Sequence, residues 1–341
     1  MAPDDRNELV ALVVVGERAA YLRAGMPRVG SSAAILAEVS AAEANEHPRW
    51  AVPSAATTLA PLVAAGLPIA RTWDLAEVHR LLAGGWAADP ATVTAYLDGL
   101  PEHGIVRDHG DDLFAAAAAP AHDPAPDEPT GPDGQLRAEA FEPRWADRDE
   151  RLVALVTLVQ RLARAQRERI AALGPRAVAT AHSESAAAVL CLELERDGLP
   201  LDRPAAEVII GRAAGARPAD ERDAARIRAA RDAQVLRHTP GRSADLRNPA
   251  QVRELLAAAG VTVANTRKWE LEPYRATHPV VAALLDWRKD ERIATTYGYR
   301  WLDEQVGPDG RLRGAWTACD GAAGRMTAGA GLHNLPSVLR A

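Results

Sequence analysis

Leu9 to Val15 is an unbroken apolar run, LVALVVV, closed by Gly16. Its length, its β-branched content and the glycine stop predict a strand buried on both faces. Beyond it the apolar positions switch between strand and helix spacing. Ser31–Ala44 reads as a helix with Ser31 as N-cap and Ile35, Leu36 and Val39 on its apolar side. Arg49–Val52 reads as a second strand, Ala56–Ala65 as a helix stopped by Gly66, and Leu67–Trp73 as a third strand. Asp74–Leu82 follows as a helix capped by Asp74. Alternating strands and helices predict a small α/β domain over residues 1–118.

Residues 119–134, APAHDPAPDEPTGPDG, are dense in proline, aspartate and glycine. Such a segment buries too little apolar area to offset the entropy of ordering it, so residues 119–143 are expected to form a disordered loop or linker. An ordered proline-rich loop is the alternative. From Trp145 the spacing is helical. Leu152, Val153, Leu155, Val156, Leu158, Val159 and Leu162 make a wide apolar face with arginines outside it. Ala186–Arg196 is a helix ending at Asp197-Gly198, Ala219–Leu236 a basic helix, and Pro249–Ala259 a helix with Asn248 as cap and Gly260 as stop. His278–Val306 reads as one long helix with Pro279 at its start. The turn Gly307-Pro308-Asp309-Gly310 then feeds a strand over Arg311–Thr317.

Composition narrows the class. The 341 residues suffice for two or three domains, and the 48% hydrophobic and 25% charged fractions are those of a globular protein. Aromatics are scarce at 4%, so aliphatic side chains and alanine must fill the core. Net charge is -6, which excludes a uniformly basic surface and leaves room for a local basic groove. Only Lys268 and Lys289 are lysines, so arginine carries nearly all the positive charge. Cys191 and Cys319 are isolated and fit no metal or redox spacing, as in a reducing cytosol. Acidic residues precede the first apolar run, so the basic start of a signal peptide is lacking, and no apolar run approaches the ~18 residues of a membrane span.

The densest chemistry lies in Arg311–Ala341, RLRGAWTACDGAAGRMTAGAGLHNLPSVLRA. Gly321, Gly324, Gly329 and Gly331 free the backbone for close approach, and Arg325, Thr327, His333 and Asn334 stand between them. Exposed amides beside an arginine make a phosphate-binding surface. An ordinary glycine-rich surface loop is the alternative.

The order of these residues resembles a known pattern. Gly324-Arg325-Met326-Thr327 followed by Gly331-Leu332-His333-Asn334-Leu335-Pro336 resembles the T-G-R-L-S-S…P-N-L-Q-N-I-P signature of family A DNA polymerases, the bacterial polymerase I type. Leu194-Glu195-Arg196-Asp197-Gly198-Leu199-Pro200-Leu201-Asp202 resembles that family's I-E-x-x-G-x-x-[IV]-D at the thumb base. Asp245 through Val252 resembles N-x-x-S-P-x-Q-L at the thumb tip. His278-Pro279 through Trp287-Arg288 to Thr296-Tyr297 resembles the H-P-x-x…L-x-Y-R…T-Y helix, and Pro308-Asp309-Gly310-Arg311 the strand entry. The matches cover roughly residues 175–341. The arginine- and alanine-rich style is similar to actinobacterial bifunctional 3′-5′ exonuclease/DNA polymerases.

The resemblance implies an N-terminal portion of such an enzyme. It implies a degenerate ribonuclease H-like 3′-5′ exonuclease fold over 1–118, a connecting helix over 144–172, a mostly helical thumb over 173–306 and the start of the palm over 307–341. The family's palm aspartates and nucleotide-binding fingers lie beyond the matched segments. The implied parent activity is template-directed DNA synthesis with Mg2+, in replication and repair, in the cytoplasm at the nucleoid. Primer–template DNA is the implied partner. Deoxynucleotides are bound only by the complete polymerase, and the remaining palm and fingers portion is a further partner. No membrane is implied. For this chain alone no metal and no synthesis are expected. Arg325, Thr327, His333 and Asn334 are the implied duplex contacts at the thumb–palm junction, with Arg288, Arg292, Asn248 and Gln251 as thumb contacts. The family has Gln at the position of His333 and Thr at that of Ala323.

Charge supports this half. Between Arg212 and Arg253 ten arginines stand against five acidic residues, leaving +5 in a chain of net -6. Phosphate contact needs such an arm. A solvated helix with internal pairs, Asp223 with Arg226 or Arg228 with Asp232, is the alternative. In the first half, the family's proofreading site uses an Asp-x-Glu on the first strand, an Asp on a later helix and a Tyr-x-x-x-Asp. No Asp-x-Glu occurs here, the helix position falls near Thr58, and the last motif survives only as Trp145-Ala146-Asp147-Arg148-Asp149. Asp74 and Glu77 form an acidic pair that a helix cap and a surface residue explain more simply. Two readings from other classes remain: an active metal-dependent exonuclease, and a non-catalytic protein-interaction module.

Overall fold

A computed structural model describes residues 8–101, 127–320 and 324–340. These divide into two compact units, 1–197 with 315–328, and 198–314 with 329–341.

The first unit is built on the apolar run. β1 (Leu9–Val15) is the middle strand of a mixed sheet with β2 (Arg18–Arg23), β3 (Met26–Ser31), β4 (Arg49–Val52) and β5 (Thr72–Asp74), in the order β3-β2-β1-β4-β5. β1 pairs antiparallel with β2 and parallel with β4. Strand side chains alternate between faces, so β1 feeds two cores. Leu9, Ala11, Val13 and Val15 meet Leu152, Leu155 and Val159 on one face. Val10 and Leu12 join Ile35, Val39, Trp50 and Val63 on the other.

β2 and β3 escape a reading based on periodicity because their alanine, arginine and proline are weak strand formers. A tight turn makes them, with Ala24 at φ 50° and Gly25 at φ 78°, the double positive φ of a two-residue hairpin loop. After α1 (Ser32–Asn45), the expected helix over 56–65 is two pieces, α2 (Ala55–Thr58) and α3 (Ala60–Ala64). Pro61 accounts for the break, since it cannot donate to the Thr57 carbonyl and its ring clashes there. α4 (Leu75–Ala83) and α5 (Pro90–Asp98) follow, capped by Asp74 and Asp89.

Of the proline-rich segment, residues 119–126 lie outside the described residues. Its described remainder is ordered: Thr130 bridges to Leu136, and a 3-10 turn spans Ala138–Phe141. Burial of Leu136 and Ala140 in the first core holds it. α6 (Asp149–Ala172) lays its wide apolar face on the sheet, and α7 (Pro175–Asp197) belongs to the same unit. The resemblance implies a thumb that begins at residue 173. α7 contains the helix expected over Ala186–Arg196 and extends it back to Pro175, where small buried side chains, Ala181 and Ser185, give no bulky stripe.

The second unit opens with β6 (Leu199–Pro200), which pairs with β7 (Arg311–Leu312). Between them run α8 (Arg203–Ala214), α9 (Glu221–Leu236), α10 (Pro249–Ala258), α11 (Lys268–Leu271), α12 (Pro279–Thr296) and α13 (Tyr299–Gln305). One core gathers Val252, Leu255, Leu256, Leu271, Val281 and Leu284; a second gathers Ile210, Ile293, Tyr297, Trp301, Leu302 and Leu312. The single helix expected over 278–306 breaks at Gly298, where an added Cβ would lie 2.6 Å from the Ala294 carbonyl oxygen.

The strand expected over Arg311–Thr317 is likewise two. β8 (Trp316–Asp320) pairs with β9 (Arg325–Ala328) in a hairpin assigned to the first unit. Trp316, Ala318 and Met326 pack into that unit's second core. Among the described residues no helix is long and apolar enough to cross a membrane.

Candidate nucleic-acid interface

The hairpin carries two of the implied contact residues. Arg325 opens β9, exposed, opposite Asp320 in the strand register. Thr327 donates its hydroxyl to Asp320 Oδ2 at 3.1 Å, so its hydroxyl is oriented from within the hairpin. Gly324, at φ 57°, turns the chain into β9. Gly321 and Ala323 lie outside the described residues.

In the second unit, the segment bearing His333 and Asn334 is tied to α12 and α13 at three points. Trp301 Nε1 donates to the Ala330 carbonyl at 2.8 Å, Tyr297 Oη to that of Gly331 at 3.1 Å, and Arg292 Nη2 to that of Asn334 at 2.7 Å. Gly331 sits at φ 73°, and a Cβ there would come within 2.9 Å of the Tyr297 ring. Only glycine fits that crossing. The structure thus brings Arg292, His333 and Asn334 together, with both loop side chains exposed on a 3-10 turn (Leu332–Asn334).

Asn248 and Gln251 share the start of α10. Asn248 Oδ1 accepts from the Ala250 and Gln251 amides, and Gln251 Oε1 accepts from the Asp245 amide at 2.7 Å. Both are exposed, and both fix the loop they sit on. Arg288 is turned inward: its Nη1 donates to the Thr266 carbonyl, and burial lowers its pKa from the usual guanidinium value.

The basic arm separates into paired and unpaired arginines. Arg217 binds Asp303 at 2.6 Å, and Arg226 pairs with Asp223. Arg231 and Arg247 converge on Glu291 at 2.8 and 2.7 Å. Arg247 also grips Asp232 and lies 5.2 Å from the Trp287 ring centroid. Its hydrogen bonds with Asp232, then with Glu291, raise its pKa further. Asp232 is therefore taken by Arg247 rather than by Arg228. Among the described residues Arg212, Arg222, Arg228, Arg237, Arg242 and Arg253 make no ion pair, and all are exposed. On α9 only Val235 is buried, and Arg222, Arg226 and Arg228 face water while Arg231 turns to Glu291. Sequence spacing missed the Arg231–Arg247–Glu291 cluster because its partners come from three separate elements.

The first unit has a cleft of about 740 Å³ at the end of β1, lined by Val14, Ser54, Thr57, Thr58, Arg80, Trp86 and Phe141 among others. No carboxylate stands on β1. Asp149 is bound by Arg18, and Asp147 lies 3.7 Å from Arg151. Asp74 caps α4 through the Glu77 amide and also accepts the Ala55 amide. Glu77 pairs with Arg80 at 2.5 Å. Among the described residues no group of three or more His, Cys, Asp or Glu side chains is placed to hold a metal ion. The described residues do not make a two-metal site.

No family model and no curated protein matches this sequence. Among solved structures, the chain is similar to the POL domain of Pol1 from M. smegmatis in complex with DNA primer-template and dNTP. The TM-score is 0.58 at 18% identity, covering 97% of this chain. The chain spans about half, 53%, of the length of that structure's chain. This likeness is one of fold: a mixed α/β protein whose architecture is that of part of a DNA polymerase domain.

Proposed function

We propose that the chain is a polymerase-like DNA-binding protein, corresponding to the front portion of a family A DNA polymerase, and that it holds primer–template duplex. The observation that carries this is fold similarity along 97% of the chain to a polymerase domain solved with primer-template. The ordered motif matches and the exposed arginines of the arm that make no ion pair support it. The first unit is then a degenerate exonuclease-like domain. The second is a thumb with the base of the palm. Arg325 on the hairpin, and Arg292, His333 and Asn334 on the second unit, are the proposed duplex contacts. Asn248, Gln251 and Arg288 serve by fixing the loops around them. Synthesis belongs to the complete polymerase with its Mg2+.

Arg325→Ala is expected to weaken duplex binding by similar factors across sequences and to lower the salt slope by about 1, as loss of one phosphate contact does. Fluorescence anisotropy across a salt series reads both; affinity and slope equal to wild type would remove Arg325 from the interface. Given Mg2+ and deoxynucleotides, the purified chain is expected to leave a primer unextended and a 3′ overhang untrimmed. Extension or trimming by the pure chain would contradict the assignment.

A further inference from the structure

We propose that the turn at α11, residues 267–269, carries a single-stranded nucleic-acid site, in which an unpaired base stacks on Trp269 while Arg267 and Lys268 hold the adjoining phosphates. The inference deepens the DNA-binding reading and rests on it. Trp269 is 64% exposed, whereas Leu271, two residues on, is fully buried. One short turn thus has an anchoring side and a presenting side. The unit's other tryptophans behave differently: Trp287 and Trp301 are buried, and their indole N–H groups donate to Asp232 and to the Ala330 carbonyl.

A lone exposed aromatic would mean little. Here the two residues before it are cations, both exposed, and among the described residues neither makes an ion pair. The neighbouring cations are committed: Arg275 binds Glu272 and Asp286, and Lys289 binds Asp286. Lys268 is one of only two lysines in the chain, and the other is so paired. Glu270 leaves a net charge of +1 over residues 267–270.

The platform is also fixed in advance. Arg288 donates to the Thr266 carbonyl, Asn265 Oδ1 accepts from the Arg267 amide at 2.9 Å, and the Leu271 amide bonds the Arg267 carbonyl at 3.2 Å. Little ordering entropy remains to oppose binding. A flat indole beside two cations suits a base with a free face and its flanking phosphates. Within a duplex each base face is already covered by its neighbours, so the ligand is unpaired strand.

The test compares a labelled single-stranded oligonucleotide with a blunt duplex of the same length, by anisotropy, for the full chain. Trp269→Ala should lower single-strand affinity about 5- to 100-fold, Trp269→Phe should retain most of it, and duplex affinity should hold in both. The salt slope should stay unchanged in Trp269→Ala and fall in Lys268→Ala. Wild-type single-strand affinity in Trp269→Ala, or an equal loss on both ligands, overturns the site while leaving duplex binding standing. A wild-type chain that binds neither ligand overturns the DNA-binding reading, and this site with it.

Discussion

Glu291→Ala lowers the unfolding free energy by about 3 kcal/mol, toward the low end of the range for breaking a buried pair. Glu291 is 8% exposed and accepts from Arg231 Nη2 at 2.8 Å and from Arg247 Nε at 2.7 Å. Removing it strands charge at a point where α9, α12 and the loop before α10 meet. The low end applies because Arg247 keeps Asp232 and is a third exposed at its side chain. Glu291→Gln, which retains an acceptor of the same shape, should cost less. Urea denaturation of both variants measures this, and a loss below about 1 kcal/mol for alanine would place the cluster among ordinary surface pairs. The same variant should reduce duplex affinity if the cluster holds the basic arm in its binding geometry.

Asp74 gives the first unit a pH dependence of the unusual sign. Its side chain is almost wholly buried, and burial, outweighing the Ala55 and Glu77 amides, pushes its carboxyl from 3.8 up to about 6. The folded state therefore holds the proton more tightly than the unfolded chain does. This contribution to stability is complete below about pH 4, declines as pH rises through about 6, and is absent above it. The move from 3.8 to about 6 corresponds to about 3 kcal/mol. Asp74→Asn removes the titrating group and keeps a capping oxygen. The difference in stability between variant and wild type should therefore move in the variant's favour by about that amount between pH 4 and pH 7. Parallel pH profiles would show that Asp74 does not titrate in this window.

Much of this fold is legible in the sequence where one element decides its own structure. LVALVVV can only be a buried strand, and Asp74, Asn248 and Pro279 mark helix starts because capping is local chemistry. What escapes is set by distant partners. β2 and β3 have the composition of a loop and become strands because β2 pairs with β1 and β3 with β2. The helix read over Ala186–Arg196 is the second half of α7, and its first half hides because its buried residues, Ala181 and Ser185, are small. The glycine-rich stretch reads as an irregular loop, yet β9 and the 3-10 turn at Leu332–Asn334 are regular, held by Trp301, Tyr297 and Arg292 from elsewhere in the chain or by pairing with β8. The implied contact residues show the same division. Arg325 follows from its motif, whereas the inward turn of Arg288 depends on Thr266, and the unpaired state of Arg228 depends on Arg247 having taken Asp232.

The central claim is that this chain binds duplex through phosphate contacts. Anisotropy of a labelled primer–template against the purified chain, repeated from about 50 to 200 mM salt, tests it most directly. Measurable affinity is expected at low salt, with log K falling linearly against log salt at about 0.9 per phosphate contacted. Absence of binding at low salt, or an affinity that does not change across the series, would contradict it.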